Sequence, residues 1–144
     1  MTLLLLKTRL APVRQARVLD VATGRGQFIE SLLECLNDFA EITGIDQSAK
    51  AIAAANSAFG DERIHFALMD CRQMEFASET FDIVAISNTL HHLAPNDLCA
   101  VLAEMKRVLK PGGLFVVNEM FQDNQDMSHV LFHHWSAGID RLHG

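Results

Sequence analysis

Three aspartates, a pair of glycines and two adjacent histidines hold most of the chemistry open to this sequence. Asp20 precedes Val21-Ala22-Thr23-Gly24-Arg25-Gly26, Asp46 precedes Gln47 and Ser48, Asp70 precedes Cys71, and Ser87-Asn88 leads through Thr89-Leu90 to His91-His92. Glycines in a tight turn let a ligand touch the backbone, and small neighbours admit it closely. A carboxylate about twenty residues further on can accept hydrogen bonds from a ribose diol, which suits Asp46. Asp70 can receive an exocyclic amino group of a nucleobase, with the Cys71 N–H opposite a ring nitrogen. Each aspartate also has a plain use as a helix N-cap or a solvated strand end. His91 and His92 are candidate general bases for an acceptor that must lose a proton; packing a helix start or bonding backbone is the competing use.

The spacing in the glycine turn narrows the ligand. A dinucleotide fingerprint requires G-x-G-x-x-G, and here Ile29 stands at the third glycine position. A P-loop requires Gly-Lys followed by Ser or Thr, a sequence absent from the chain. What remains is D-x-A-x-G-x-G. Alanine cannot take a positive φ cheaply, so this reading predicts ordinary extended backbone at Ala22.

The elements that must position these residues follow from hydrophobic pattern. Val18 to Val21 is an apolar strand, and Phe28, Ile29, Leu32, Leu33 and Leu36 recur at helical spacing after it. Residues 40–46 make a second strand, with Ser48 as N-cap of an alanine-rich helix to about Ser57. Residues 63–70 make a third, and residues 81–88 a fourth whose nearly continuous apolar run suits burial on both faces. A helix from about Pro95 to Leu109 presents Leu98, Val101, Leu102, Met105 and Val108 on one side, and Lys110-Pro111-Gly112-Gly113 is expected to stop it. Leu114 to Asn118 forms a fifth strand, and residues 123–142 read as helical. Alternating units of this kind predict an α/β, doubly wound parallel sheet with its ligand beyond the carboxyl ends of the strands. Gly24, Asp46, Asp70 and Asn88 then share one rim, within reach of a single cofactor.

Composition excludes several classes. The 144 residues, 49% hydrophobic, suit a single domain over 1–144. A net charge of −6 opposes broad binding to nucleic acid. Cys35, Cys71 and Cys99 form no C-x-x-C, so neither a disulfide framework nor a zinc site is indicated, and a reducing cytoplasm fits. The apolar run Leu3–Leu6 is cut by Lys7 and Arg9 and is far too short for a signal or a membrane span. His129 and His133, spaced i, i+4 with His134 adjoining, could share a metal on a helix but lack accompanying acid or thiol ligands; a surface cluster is the better reading, and no metal is expected. Trp135 and its apolar neighbours suit packing against the sheet or a partner.

In order and spacing, VLDVATGRGQF, ITGIDQS, FALMDC, FDIVAISNTLHHL and MKRVLKPGGLFVVNEM resemble the successive motifs of class I S-adenosylmethionine-dependent methyltransferases. The two-histidine and L-K-P-G-G segments are most similar to the subgroup acting on small molecules such as quinone precursors. The resemblance implies a Rossmann-like sheet of about five parallel strands in the order 3-2-1-4-5. The turn from Ala22 through Thr23 and Gly24 to Gly26 would face the methionine end of the cofactor, and Asp20 would orient its amino group. Asp46, with Gln47 beside it, would hold the ribose. Asp70 and Cys71 would meet the adenine, and Ser87 and Asn88 would line the path to the methyl group. The implied product is S-adenosylhomocysteine. The proline pair and aromatic found after strand four in enzymes methylating exocyclic amines of DNA bases are missing at Asn88-Thr89-Leu90.

The resemblance also implies two further strands, and the chain is expected to lack them, leaving a C-terminal helical tail, a truncated domain, and an apolar fifth strand at the sheet edge. Such an edge invites pairing, so the expectation is either a fragment of a longer protein or a homodimer through strand five or the tail helix, with a tail helix folded over the edge as the third explanation. A cofactor-binding domain without turnover is the alternative to an active enzyme.

Overall fold

The computed structural model describes residues 2–120 and 128–134. Helix α1 (Thr2–Leu10) is followed by strand β1 (Arg17–Val21), helix α2 (Gln27–Cys35), strand β2 (Glu41–Asp46), helix α3 (Ala49–Ala58) and strand β3 (Ile64–Leu68). Strand β4 (Phe81–Ser87) then leads through a 3-10 turn (Leu90–His92) to helix α4 (Pro95–Val108), strand β5 (Leu109–Met120) and strand β6 (Ser128–His134). The sheet order is β3-β2-β1-β4-β5-β6, parallel as far as β5. The expected 3-2-1-4-5 arrangement is therefore present, with one strand more.

Pleating explains how one sheet carries two cores. Alternate residues of a strand point to opposite faces. Val18, Ile42, Ile83 and Val116 pack with Leu6, Leu10, Ile29 and Leu32 of α1 and α2. Leu19, Val21, Ile45, Val84 and Ile86 pack with Val101, Met105 and Val108 of α4. With both faces covered, β4 is a nearly continuous apolar run, as its sequence predicts. Ser48 caps α3 by accepting from the Ala51 N–H at 3.2 Å, also as predicted.

Three expectations need correction. Helix α4 ends at Val108, within a residue of the expected end, but β5 begins at Leu109 rather than Leu114 and takes in Lys110-Pro111-Gly112-Gly113. Phe81 pairs with Leu109 and Ile83 with Leu114, so the intervening residues of β5 loop out as an irregularity in the ladder. Gly112, at φ 76°, supplies the left-handed backbone this loop requires. The C-terminal segment is not wholly helical: residues 128–134 form a strand antiparallel to β5, from Leu114 opposite His134 to Met120 opposite Ser128. A sixth strand is thus present, the exposed β5 edge is covered by it, and the ground for a homodimer through that edge is gone. Residues 121–127 and 135–144, including Trp135, lie outside the described residues.

His129 and His133 consequently sit on a strand, where four residues span about 13 Å rather than one helical turn. That separation removes the i, i+4 metal geometry. Among the described residues no group of acids, histidines and cysteines could hold a metal, and no helix is long and apolar enough to cross a membrane. Helix α1, unforeseen in the sequence, buries Leu6 and Leu10 in the core.

Ending the chain after Met120 would remove β6 and leave a long apolar edge unpaired. The shortened chain is expected to form larger species than the 144-residue chain in light scattering at equal concentration. Identical masses for the two would contradict the role given to β6.

Candidate functional site

The site begins with a turn that holds three left-handed residues in alternation. Ala22 has φ 54°, Gly24 φ 58° and Gly26 φ 87°. The extended backbone expected at Ala22 is therefore wrong: the chain leaves β1 by a left-handed step, and alanine occupies it under strain. The turn is tied to its neighbours by hydrogen bonds. Thr23 N–H donates to the Ile45 carbonyl at 2.8 Å and Gly26 N–H to the Thr23 carbonyl at 2.9 Å. Gly24 N–H donates to Asp46 Oδ2 at 2.9 Å, while Asp46 Oδ1 accepts from Ser48 N–H at 2.9 Å. At Gly26 an added Cβ would lie 2.5 Å from the Phe59 ring, so the turn is closed against α3 as well as being left-handed.

Asp20 lies beneath this turn, 1% exposed. Its Oδ2 accepts from the Thr23 hydroxyl at 2.7 Å, and its Oδ1 has no hydrogen-bond partner. Burial pushes its pKa up from 3.8 to about 7; the Thr23 bond works against that rise and the negative charge of Asp46 adds to it. A buried carboxylate with an unsatisfied oxygen is costly, and it is suited to meet a positively charged or N–H-bearing ligand.

Along the rim, Gln47, Leu68, Asp70, Gln73, Met74 and Glu75 line an open cleft of about 640 Å³. Leu68 is 59% exposed there, an apolar surface at the mouth of a polar cleft. The loop forming its wall is pinned from α4: Arg107 donates to the carbonyls of Met74 at 3.0 Å and Phe76 at 2.7 Å, and Glu104 accepts the Met74 N–H at 2.6 Å. Asp70 is engaged otherwise than the sequence suggests. Arg72 grips both of its oxygens, the Nη2 to Oδ2 distance being 2.8 Å, and reaches Asp97 of α4 at 3.2 Å. That guanidinium holds the Asp70 carboxyl below its ordinary value. Cys71 is half-buried, and burial pushes its thiol pKa up, away from thiolate chemistry.

At the end of β4, Ser87 accepts from Asn118 Nδ2 at 2.9 Å, and Asn88, at φ 50°, donates its N–H to the Asn118 carbonyl at 2.7 Å. His91 follows in the 3-10 turn, with its Nδ1 2.6 Å from Oε2 of Glu119, and the His91 and His92 rings stack with centroids 3.9 Å apart. Neither Asn118 nor Glu119 is singled out by sequence reasoning. The usable signal was their position at the end of an apolar fifth strand, parallel to and beside β4. Among the described residues, two buried side-chain oxygens lack a partner, Asp20 Oδ1 and Asn118 Oδ1, and both belong to the carboxyl-terminal parts of sheet strands.

Residues 18–113 match the model of a methyltransferase domain family. The chain belongs to that family. This methyltransferase domain is 37% identical over 97 residues to a ubiquinone/menaquinone biosynthesis C-methyltransferase of Desulfotalea psychrophila, covering 67% of this chain and 38% of that protein. It is 30% identical over 136 residues to a sterol 4-C-methyltransferase of Caenorhabditis elegans, covering 87% of this chain and 39% of the relative. The domain thus spans well under two thirds of these relatives' own length. Among solved structures, the PH0226 protein of Pyrococcus horikoshii superposes with TM-score 0.72 at 31% identity, over 84% of this chain and 53% of that one. The [4+2]-cyclase SpnF superposes with TM-score 0.70 at 26% identity, over 88% of this chain and 46% of its own.

The residues present fit the cofactor of S-adenosylmethionine-dependent members of this fold. Asp20 offers an unsatisfied carboxylate oxygen for an ammonium group, and the glycine turn offers backbone. Asp46 keeps accepting capacity beyond its two backbone bonds, since a carboxylate has about four lone-pair sites. At the mouth of the polar cleft, the exposed Leu68 side chain offers an apolar surface for a flat base.

In the methyltransferase domain, Ala22→Gly is expected to raise stability by about 0.5–1 kcal/mol, the relief of left-handed strain outweighing the added freedom of the unfolded chain. Denaturant unfolding measures it, and a loss of stability would contradict the strain at this position. Asp20 should make stability fall as pH rises. Between about pH 4 and 7 the unfolded chain ionises this group while the folded chain keeps it protonated, so the folded state binds more protons and loses stability with rising pH. From pH 5 to 7.5 the unfolding free energy is expected to drop by about 2–3 kcal/mol relative to that of D20N. Parallel pH profiles for the two proteins would refute the assignment.

Proposed function

We propose that this chain binds S-adenosylmethionine along the carboxyl rim of β1 to β4 and transfers its methyl group to a small-molecule acceptor. The observation that carries this reading is the buried, half-satisfied Asp20 beneath the glycine turn, with Asp46 holding that turn from the next strand. Asp20 would take the amino group of the methionine moiety. Backbone from Ala22 through Thr23 and Gly24 to Gly26 would line its chain. Asp46 and Gln47 would hold the ribose hydroxyls, and the cleft at Leu68, Asp70 and Cys71 would take the adenine. Arg72 would then have to share Asp70 with the adenine amino group. Ser87 and Asn88 would line the approach to the methyl carbon, with His91 and His92 beyond them.

The bound cofactor supplies an activated methyl group on a sulfonium, whose departure leaves a neutral thioether. The chain's own residues therefore have a task of position. The turn and Asp46 fix the methyl donor relative to the rim, and the β4 end orients the acceptor for in-line approach, a contribution that can account for most of such a rate. The relatives named for quinone and sterol methylation support a small organic acceptor. The net charge of −6 is consistent with that and unfavourable for a polyanionic one.

A second reading keeps the cofactor cleft and drops methyl transfer. It is favoured by the likeness to a protein named as a cyclase, and by the general rule that one fold hosts several chemistries. Turnover on a panel of phenolic, quinone-precursor and sterol-like acceptors separates the two.

Calorimetric titration with S-adenosylmethionine and S-adenosylhomocysteine tests what both readings share, and binding of neither to the folded chain would reject both. Asp46→Ala is expected to weaken binding of each by at least about tenfold, since a hydrogen bond to a charged group contributes about 1.5–3 kcal/mol. An unchanged affinity would exclude the ribose role.

A further inference from the structure

The pairing of Glu119 with His91 is more elaborate than a surface contact requires. Glu119 is 7% exposed and reaches back from the end of β5 under the turn that follows β4. Its Oε1 accepts the Thr89 N–H at 3.0 Å and the Leu90 N–H at 2.8 Å, and its Oε2 lies 2.6 Å from His91 Nδ1. Oε1 already takes two backbone donors, and a carboxylate can only accept. The proton of the third bond must then reside on Nδ1. A neutral His91 so held has its lone pair on Nε2, at the opposite side of the ring, and the side chain is 36% exposed.

The geometry points to Glu119 as a positioning residue that fixes His91 in the Nδ1–H tautomer, so that Nε2 can accept a proton from an acceptor whose nucleophilic atom carries one. The tautomer stands on the geometry alone, whereas the role as base rests on the methyl-transfer reading. In that step the acceptor's O–H or acidic C–H bond breaks, its proton passing to Nε2 and its electron pair forming the bond to the methyl carbon. The carbon–sulfur bond breaks with its electrons leaving on the thioether. The resulting imidazolium is stabilised by the carboxylate beside it, and its proton passes to solvent. The substrate class is thereby narrowed to protic acceptors, such as phenols, enols and their carbon tautomers, rather than atoms that attack through an existing lone pair.

Among the described residues, the titratable groups against the ring are Glu119 of β5 and His92 of the same turn, and His129 is the residue paired with Glu119 across the ladder to β6. Bulk titration would mix these, so the test reads His91 itself. Long-range proton–nitrogen correlation of the ¹⁵N-labelled chain above neutral pH, with the His91 signals assigned by their loss in His91→Gln, is expected to find Nδ1–H. In Glu119→Gln the two backbone N–H groups keep the amide oxygen on their side and turn the NH₂ toward Nδ1, so the tautomer is expected to invert to Nε2–H. Thermal unfolding checks that this isosteric variant is folded. An Nε2–H tautomer in the unmodified chain, or the same tautomer in both proteins, would overturn the proposal. With a protic acceptor, Glu119→Gln is expected to lower kcat by about 10²-fold and move its pH profile, with the KM for the methyl donor within about twofold. An unchanged kcat and pH profile would overturn the role as base. Failure of the unmodified chain to methylate any acceptor would instead count against the proposed function, and the tautomer measurement would still decide the pairing.

Discussion

Gly24 N–H and the Asp46 carboxylate join the end of β1 to the end of β2, and much of the rim depends on that contact. The turn after β1 has left-handed residues at 22, 24 and 26, a path with little intrinsic preference for one shape. A charged acceptor on the neighbouring strand selects one. The same carboxylate takes the Ser48 N–H and so sets where α3 starts, and Phe59 at the far end of α3 closes on Gly26. One acid thereby couples turn, strand and helix, and Asp20 can remain buried beneath them with an oxygen unspent.

The alternation of strands and helices and the position of the rim were readable because they follow from pattern, whereas the order of the strands came from the resemblance to a known family. Short apolar runs ending in small or acidic residues and alternating with helical patterns suit parallel strands, and Ser48 marked a helix start. What escaped was set by contacts between segments distant in sequence. Nothing in Ala22 itself announces a left-handed backbone, which is imposed by the bond from Thr23 N–H to Ile45 and by the requirement to reach α2. The third acid, expected to close its strand, lies two residues beyond the end of β3, and its partner Arg72, two positions on, was not weighed. Residues 128–134 alternate too weakly to declare a strand, and their state is decided by the β5 edge they cover.

The histidine pair illustrates the same division. Its place after β4 could be read from the chain, and its ambiguity between packing and chemistry could not be resolved there. Glu119 lies 28 residues away from His91. Only the parallel pairing of β4 with β5, Ser87 opposite Asn118, brings the carboxylate under the turn.

The looped-out residues Lys110 to Gly113 have a consequence for how this domain can change. They sit at the end of the sheet away from the rim, between a pair made by Leu109 and a pair made by Leu114. Because the ladder resumes at Leu114 on its own terms, the faces presented by Asn118 and Glu119 are set by pairing with β4 and β6, and are indifferent to how many residues lie in the loop. Gly112 meets nothing within 4 Å along the direction of a side chain. The loop therefore acts as a slack joint in the strand, where chain length can drift over evolution, or be altered by grafting, while the spacing of the distant rim is preserved.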